Sequence, residues 1–463
     1  MMDATKSPLL TDLYQLTMMQ SYLEHGMDDT AVFELFVRRL PEGRNFLMFA
    51  GLEQALQFLG HLHFSAGDLE WLDGSGRFSR DFVAYLEHLR FEGEVHAMRE
   101  GEIFFSDEPV LRVTAPLPVA QLVESRLINI LHFQTVVASK AARMRLAAPD
   151  ALLVDFGFRR AHEATAGLLA ARAAYIAGLD GTSTVLAEAE LGVPAFGTMA
   201  HSYILAHDDE QAAFVHFART HPDNVTLLID TYDTEAGAAR VGEIAPRLAR
   251  EGVRIRAVRL DSGDLVAHSR KVRAILDRAG LRDTKIFVSG NLDEYAIQAM
   301  IAVNAPINGF GIGTRMVTAS DAPYLDCAYK LQEYAGRARR KTSEGKATWP
   351  GRKQVFRHLR DGRMRQDTVV LEGEHVRGAE PLLHPVMRAG QLVVSCPSLV
   401  EIRSYAQSQL GRLPVRLRRL DGVPAYPVRI SRRLQALAAR LDAGLQGHGT
   451  RLAGNLVSKG DIS

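Results

Sequence analysis

The sequence predicts an α/β protein: a parallel sheet of about seven strands with helical crossovers, and a smaller α+β domain built from both chain ends. Three observations carry that expectation. Seven short apolar runs recur between residues 150 and 330, and most gaps between them hold an Ala/Leu/Arg-rich stretch such as TEAGAARVGEIAPRLAREG. A parallel neighbour is reached only by a long crossover, so this rhythm implies parallel pairing. The regions on either side read instead as helices and hairpin-like strands, and 463 residues exceed what one ordinary core organises.

Taken in order, residues 1–147 form an N-terminal domain with a helical linker. It opens on a helical TDLYQLTMMQSYLEHG and a strand-like TAVFELFVRRLP. Residues 92–118 alternate and turn like a small antiparallel sheet, and residues 119–147 carry apolar residues at helical spacing. Residues 148–330 hold the seven runs: ALLVDF, STVLA, VPAFG, VTLLID, IRAVRLD, KIFVSG and INGFGIG. Periodicity leaves open whether they close into a barrel or form an open sheet. Residues 331–463 contain a basic stretch, strand-like DTVVLEG and QLVVSC, and a terminal helix in SRRLQALAARLDAG, and pack partly back on the N-terminal domain.

Composition narrows the function. A chain 47% hydrophobic and 24% charged, with no run of membrane-span length, reads as a soluble globular protein. The opening MMDATKSPLLTDLYQ lacks the layout of a signal peptide, and two cysteines make neither a disulfide framework nor a zinc cluster, so a cytoplasmic location is expected. A net charge of +1 argues against nucleic acid or an anionic membrane as partner. Charge recognition must therefore be local.

Ligands of parallel α/β folds bind beyond the carboxyl ends of the strands. Those ends read DFGFRRAH, FGTMAHS, DTYDT, RLDSGD, SGNLDE and GFGIGT. In RLDSGD, Asp261 could cap the next helix with Asp264 in its first turn. A carboxylate is also the natural acceptor for a sugar diol, and Arg259 offers a fork for an anion. The glycines of GFGIGT would let backbone N–H groups approach a phosphate, or simply form a tight turn. His201 follows a strand among small residues, where a structural role is the commoner one, and no histidine has metal-ligand spacing. The stretch 336–353 holds seven Lys/Arg against Glu344 alone, which suits a solvated face or a small polyanion.

Together these motifs, with LLTDLYQLTM, GTSTVLA and YKLQEYAGRARRKTSEGKATWPGRKQVFR, resemble the nicotinate phosphoribosyltransferases over almost the whole length. The resemblance implies an irregular (β/α) barrel with a smaller α+β domain, homodimers with shared active sites, and formation of nicotinate mononucleotide and pyrophosphate from nicotinate and phosphoribosyl pyrophosphate in NAD biosynthesis. It implies Mg²⁺ and ATP hydrolysis through phosphorylation of His201. By the same resemblance Asp261 holds the ribose hydroxyls, and Gly290, Asn291, Gly311, Gly313 and Thr314 cradle the 5′-phosphate or ribose. Arg38, Arg39, Lys341 and Lys353 receive the pyrophosphate. Phe156 and the Tyr14 of a second subunit sandwich the pyridine ring. Arg259 takes the nicotinate carboxylate and Arg159 the phosphates, with exchange of those two roles open. Related nicotinamide enzymes carry an acidic residue where this chain has Ser183, which can donate to a carboxylate instead. A nicotinamide or quinolinate phosphoribosyltransferase, or a non-catalytic phosphoribosyl-binding barrel, are the alternatives.

Overall fold

The computed structural model describes residues 7–457. Six parallel strands stand in the order Gly181–Thr182, Leu152–Asp155, Gly309–Ile312, Lys285–Ser289, Ile255–Leu260, Val225–Leu228. A parallel bridge from Thr182 to Ala195 adds a seventh position. Each position except Val225–Leu228 neighbours its predecessor in the chain, and Gly309–Ile312 returns to Leu152–Asp155, which is the order of a barrel open at one seam. Among the described residues no ladder joins Ala195 to Val225, so the sheet curls without closing.

Two expected strands are corrected. In STVLA only the preceding Gly181–Thr182 is extended, and Val185–Leu191 is a helix. Its VLAEAEL is made mostly of strong helix formers, with Gly192 in the left-handed conformation ending it. VPAFG contributes only the bridge at Ala195.

Helices begin where aspartates cap them. Asp233, Asp264 and Asp293 accept from the backbone N–H of Ala236, of Val266 and Ala267, and of Ala296. Asp264, rather than Asp261, is therefore the cap in RLDSGD. That frees Asp261 for other work.

The smaller domain is built from both ends of the chain. A seven-stranded sheet runs Arg337–Ala338, Cys327–Tyr334, Thr30–Val37, Leu111–Pro116, Glu94–Ala97, His384–Arg388, Gln391–Leu392. The expected boundary at 330 thus falls inside a strand. Of QLVVSC only Gln391–Leu392 is in the ladder. A four-stranded sheet of Ala379–Pro381, Lys353–Arg360, Arg363–Leu371 and Val428–Ile430 lies beside it. The helix Glu124–Ala147, buried along most of its length, ties the halves together. Its Lys140 and Arg143 meet the fully buried Glu294 at 2.6 and 2.8 Å, at the start of the helix that follows Lys285–Ser289.

Candidate active site

The carboxyl ends of the parallel strands bring separate segments to one place. Arg259 lies next to the end of Ile255–Leu260, half-buried. Its Nε donates to Ser289 Oγ at 2.9 Å, Nη1 to Thr198 Oγ1 and the Met199 carbonyl at 3.2 and 3.4 Å, and Nη2 to Asp261 Oδ1 at 2.9 Å. Four of the five guanidinium N–H groups are thus engaged, and one remains. The cation lies 5.2 Å from the centre of the Phe156 ring.

Asp261 also accepts from the Ser289 hydroxyl, and its backbone N–H donates to Asp230 Oδ2 at 2.8 Å. Burial alone would raise its pKa. The Ser289 hydrogen bond, Arg259 and His201 outweigh that and hold the carboxyl below its ordinary value. His201, at the start of His201–Leu205, points Nε2 at Asp261 Oδ2 from 3.9 Å, and Nδ1 lies 3.1 Å from Thr231 Oγ1. Gly290, at φ +110°, lets the following loop pass so close to Asp261 that a Cβ there would stand 2.4 Å from the Asp261 carbonyl. Asn291 is also left-handed and accepts from Arg315 Nε at 3.2 Å.

A second knot holds the aromatic wall. Asp155 is buried at the end of Leu152–Asp155. Its Oδ1 accepts from Gly157 N at 2.7 Å, its Oδ2 from Thr182 Oγ1 at 2.8 Å, and its carbonyl from Ser183 N at 2.8 Å. Burial pushes its carboxyl up to about 6, against the pull of those two hydrogen bonds. One side chain thereby fixes the loop of Phe156 to that of Ser183, whose own hydroxyl is exposed. Phe156 and Phe287 sit 5.8 Å apart at 50°. With Phe196 and Thr198 they line a cavity of about 540 Å³ that reaches to Asn224, Arg256 and Lys285 at the opposite ends of the strands.

The remaining expected residues fall in several places. Arg159, on the turn Phe158–Arg160, is exposed and has no ion pair or hydrogen bond among the described residues. Gly313 and Thr314 open the short helix Thr314–Val317 at the rim. Gly311 is buried, and a Cβ there would lie 2.6 Å from Phe156 Cδ2, so its smallness seats the Phe156 ring rather than a phosphate. Lys353 is also corrected: it is buried, bonded to the Trp349 and Gly351 carbonyls and paired with Glu34 at 2.8 Å, and cannot meet a pyrophosphate. Arg38 and Arg39 lie beyond the strand Thr30–Val37 against Asp326, at 3.1 and 3.8 Å. Lys341 is exposed, in a loop pinned by its backbone to Thr348. Tyr14 is 47% exposed on the helix Leu13–Glu24, and its ring stacks on no other ring among the described residues.

Thr198, Ser289, Asp230 and Asp155 were not anticipated. Each sits within quoted strand-end motifs, but a hydroxyl or carboxylate there reads equally as a helix cap.

Comparison with known proteins bears on the same segments. Models of the nicotinate phosphoribosyltransferase N-terminal domain, family core and C-terminal domain match residues 9–132, 151–346 and 365–438. Nicotinate phosphoribosyltransferase pncB2 of Mycobacterium tuberculosis is 48% identical, over 94% of this chain and 93% of its own. The nicotinate phosphoribosyltransferase of Bacillus subtilis is 37% identical over 91% and 92%. The crystal structure of human nicotinic acid phosphoribosyltransferase superposes with a TM-score of 0.85 at 32% identity, covering 93% of this chain and all of that one. With three family models, the curated relatives and the human structure agreeing over most of its length, this chain belongs to the nicotinate phosphoribosyltransferase family.

Proposed function

We propose that the chain joins nicotinate to phosphoribosyl pyrophosphate, giving nicotinate mononucleotide and pyrophosphate for NAD biosynthesis. The observation that carries this reading is the Arg259–Asp261–Ser289 cluster lying against the Phe156 ring. The pyridine ring stacks on Phe156, the last N–H of Arg259 and the Ser183 hydroxyl donate to its carboxylate, and Asp261 accepts from the ribose diol. Arg159, without a partner among the described residues, turns to the phosphates. As the bond from the anomeric carbon to pyrophosphate breaks, its electron pair leaves with pyrophosphate and the pyridine nitrogen closes on that carbon. Asp261, held ionised, offsets the positive charge that develops on the sugar.

Mg²⁺ would be held by Asp230 together with the oxygens of the pyrophosphate. Among the described residues no three His, Cys, Asp or Glu side chains form a cage, while the buried Asp230 Oδ1 lacks a partner next to Asp261. Asp230 would hold the ion, which would supply neutralisation of the charge on the leaving group. For ATP, a ring nitrogen of His201, beside Asp261 and Thr231, attacks the γ-phosphorus while the bond from that phosphorus to the β–γ bridging oxygen breaks and ADP leaves with the electron pair. A homodimer supplies the second aromatic wall. Leu10, Leu13 and Tyr14 form an exposed apolar patch at the start of the first helix, suited to a partner.

The test is pyrophosphate release from phosphoribosyl pyrophosphate with nicotinate, nicotinamide or quinolinate, with and without ATP. Release with nicotinate and stimulation by ATP are expected; preference for another pyridine, or none released, would overturn the reading. His201→Ala should retain slow transfer and lose the ATP stimulation. Mixing Tyr14→Ala with Asp261→Asn chains should restore activity if sites are shared.

A further inference from the structure

A second cavity, of about 530 Å³, lies away from the strand ends, where N- and C-terminal segments meet. It shares no lining residue with the site above. Its walls are apolar: Leu52 and Leu56 of the helix Leu52–Gly60, Met98 after the strand Glu94–Ala97, Val386 of His384–Arg388, and Ile402 of Leu399–Arg412 are all buried. The volume falls in the range of roughly 300–1,000 Å³ typical of small-molecule sites.

The lining carries charges of both signs. Glu53 and Glu100 share the single cation of Arg172, at 2.7 Å each, and Glu401 accepts from Ser398 at the start of its own helix, so this part of the lining keeps a net carboxylate charge. The Cys396 thiol beside them is raised by burial and then by Glu53 and Glu100. Arg99, beside Tyr405 and His384, also lines the cavity. Its guanidinium lies 5.8 Å from the Tyr405 ring centre and has no ion pair or hydrogen bond among the described residues. Burial, and then the Arg99 charge, hold the neighbouring His384 below its ordinary pKa, so the imidazole does not compete for an anion. The lining therefore presents an apolar chamber with one unspent cation, seated on an aromatic face.

We infer that this cavity binds a small apolar molecule carrying one carboxylate, its body between the helices Leu52–Gly60 and Leu399–Arg412 and its anionic group on Arg99. Binding here is independent of the transferase reading. The test is calorimetric titration of the full chain with three ten-carbon probes: decanoate, decanol and decyltrimethylammonium. One decanoate per chain should bind saturably, at least about tenfold tighter than decanol, as one charge-assisted hydrogen bond implies. The exposed Arg99→Gln should keep the native Tm and nicotinate turnover while lowering decanoate to the decanol level. Ile402→Trp, which fills the chamber, should abolish binding of both. Equal affinity for decanoate and decanol, insensitivity to Arg99→Gln, tighter binding of the ammonium, or no saturable binding would each overturn the inference.

Discussion

Replacing Asp155 by Asn should change how stability responds to pH. The wild-type carboxyl is buried, and folding moves it from an ordinary 3.8 up to about 6. An acid raised on folding contributes stability that is fully present below pH 3.8 and lost as the pH rises through about 6. The displacement corresponds to about 3 kcal/mol. The amide introduced by Asp155→Asn would still accept from Gly157 N and could donate to Thr182 Oγ1 instead of accepting from it, so the loops of Phe156 and Ser183 stay joined. The assay is urea unfolding of both proteins at pH 4, 5, 6, 7 and 8. The wild type should lose about 2.4 kcal/mol relative to the variant between the first and last of these, most of it before pH 7, the rest being already lost at pH 4. Parallel curves would refute the reasoning, since they would mean that Asp155 titrates alike in both states or is hydrated.

Three further outcomes are expected. Ser183→Asp places a like charge before the nicotinate carboxylate at about 2–5 kcal/mol, so kcat/KM should fall at least ~30-fold for nicotinate and shift toward nicotinamide; an unchanged ratio for the two substrates would remove Ser183 from specificity. Gly311→Ala should force the Phe156 ring aside, raising the nicotinate KM about fivefold through lost stacking and costing roughly 1–3 kcal/mol of stability, with the phosphoribosyl pyrophosphate KM unchanged; the opposite split would restore a phosphate role to Gly311. Lys353→Met leaves Glu34 buried without its cation and should cost about 3–5 kcal/mol, read as a lower Tm, with the phosphoribosyl pyrophosphate KM intact well below that temperature; a native Tm with a raised KM would return Lys353 to the pyrophosphate.

The parallel sheet was legible because its strands are continuous apolar runs, and the site because parallel strands place their carboxyl ends together. What misled was local. STVLA looks extended by its β-branched start, yet VLAEAEL has helix formers and a tertiary position that favours helix. Lys353 stands in a basic stretch, but it is a strand residue of a sheet that no local pattern reveals, and its partner Glu34 is far away in the chain. Gly311 sits in a glycine-rich motif that suits both a phosphate and a ring, and only the Phe156 contact separates the two. The carboxylates of RLDSGD could be assigned only once Asp264 was seen capping its helix.

The seven-stranded sheet has a consequence for biosynthesis. Thr30–Val37 has Leu111–Pro116 on one edge and Cys327–Tyr334 on the other. At ~5–20 residues per second, a ribosome needs roughly 15–60 s after finishing the first of these strands to begin the last. Throughout that interval a mostly apolar ribbon waits with one row of peptide groups unpaired, the situation that holdase chaperones relieve. Newly made chains should thus be most vulnerable to clumping before the final third emerges.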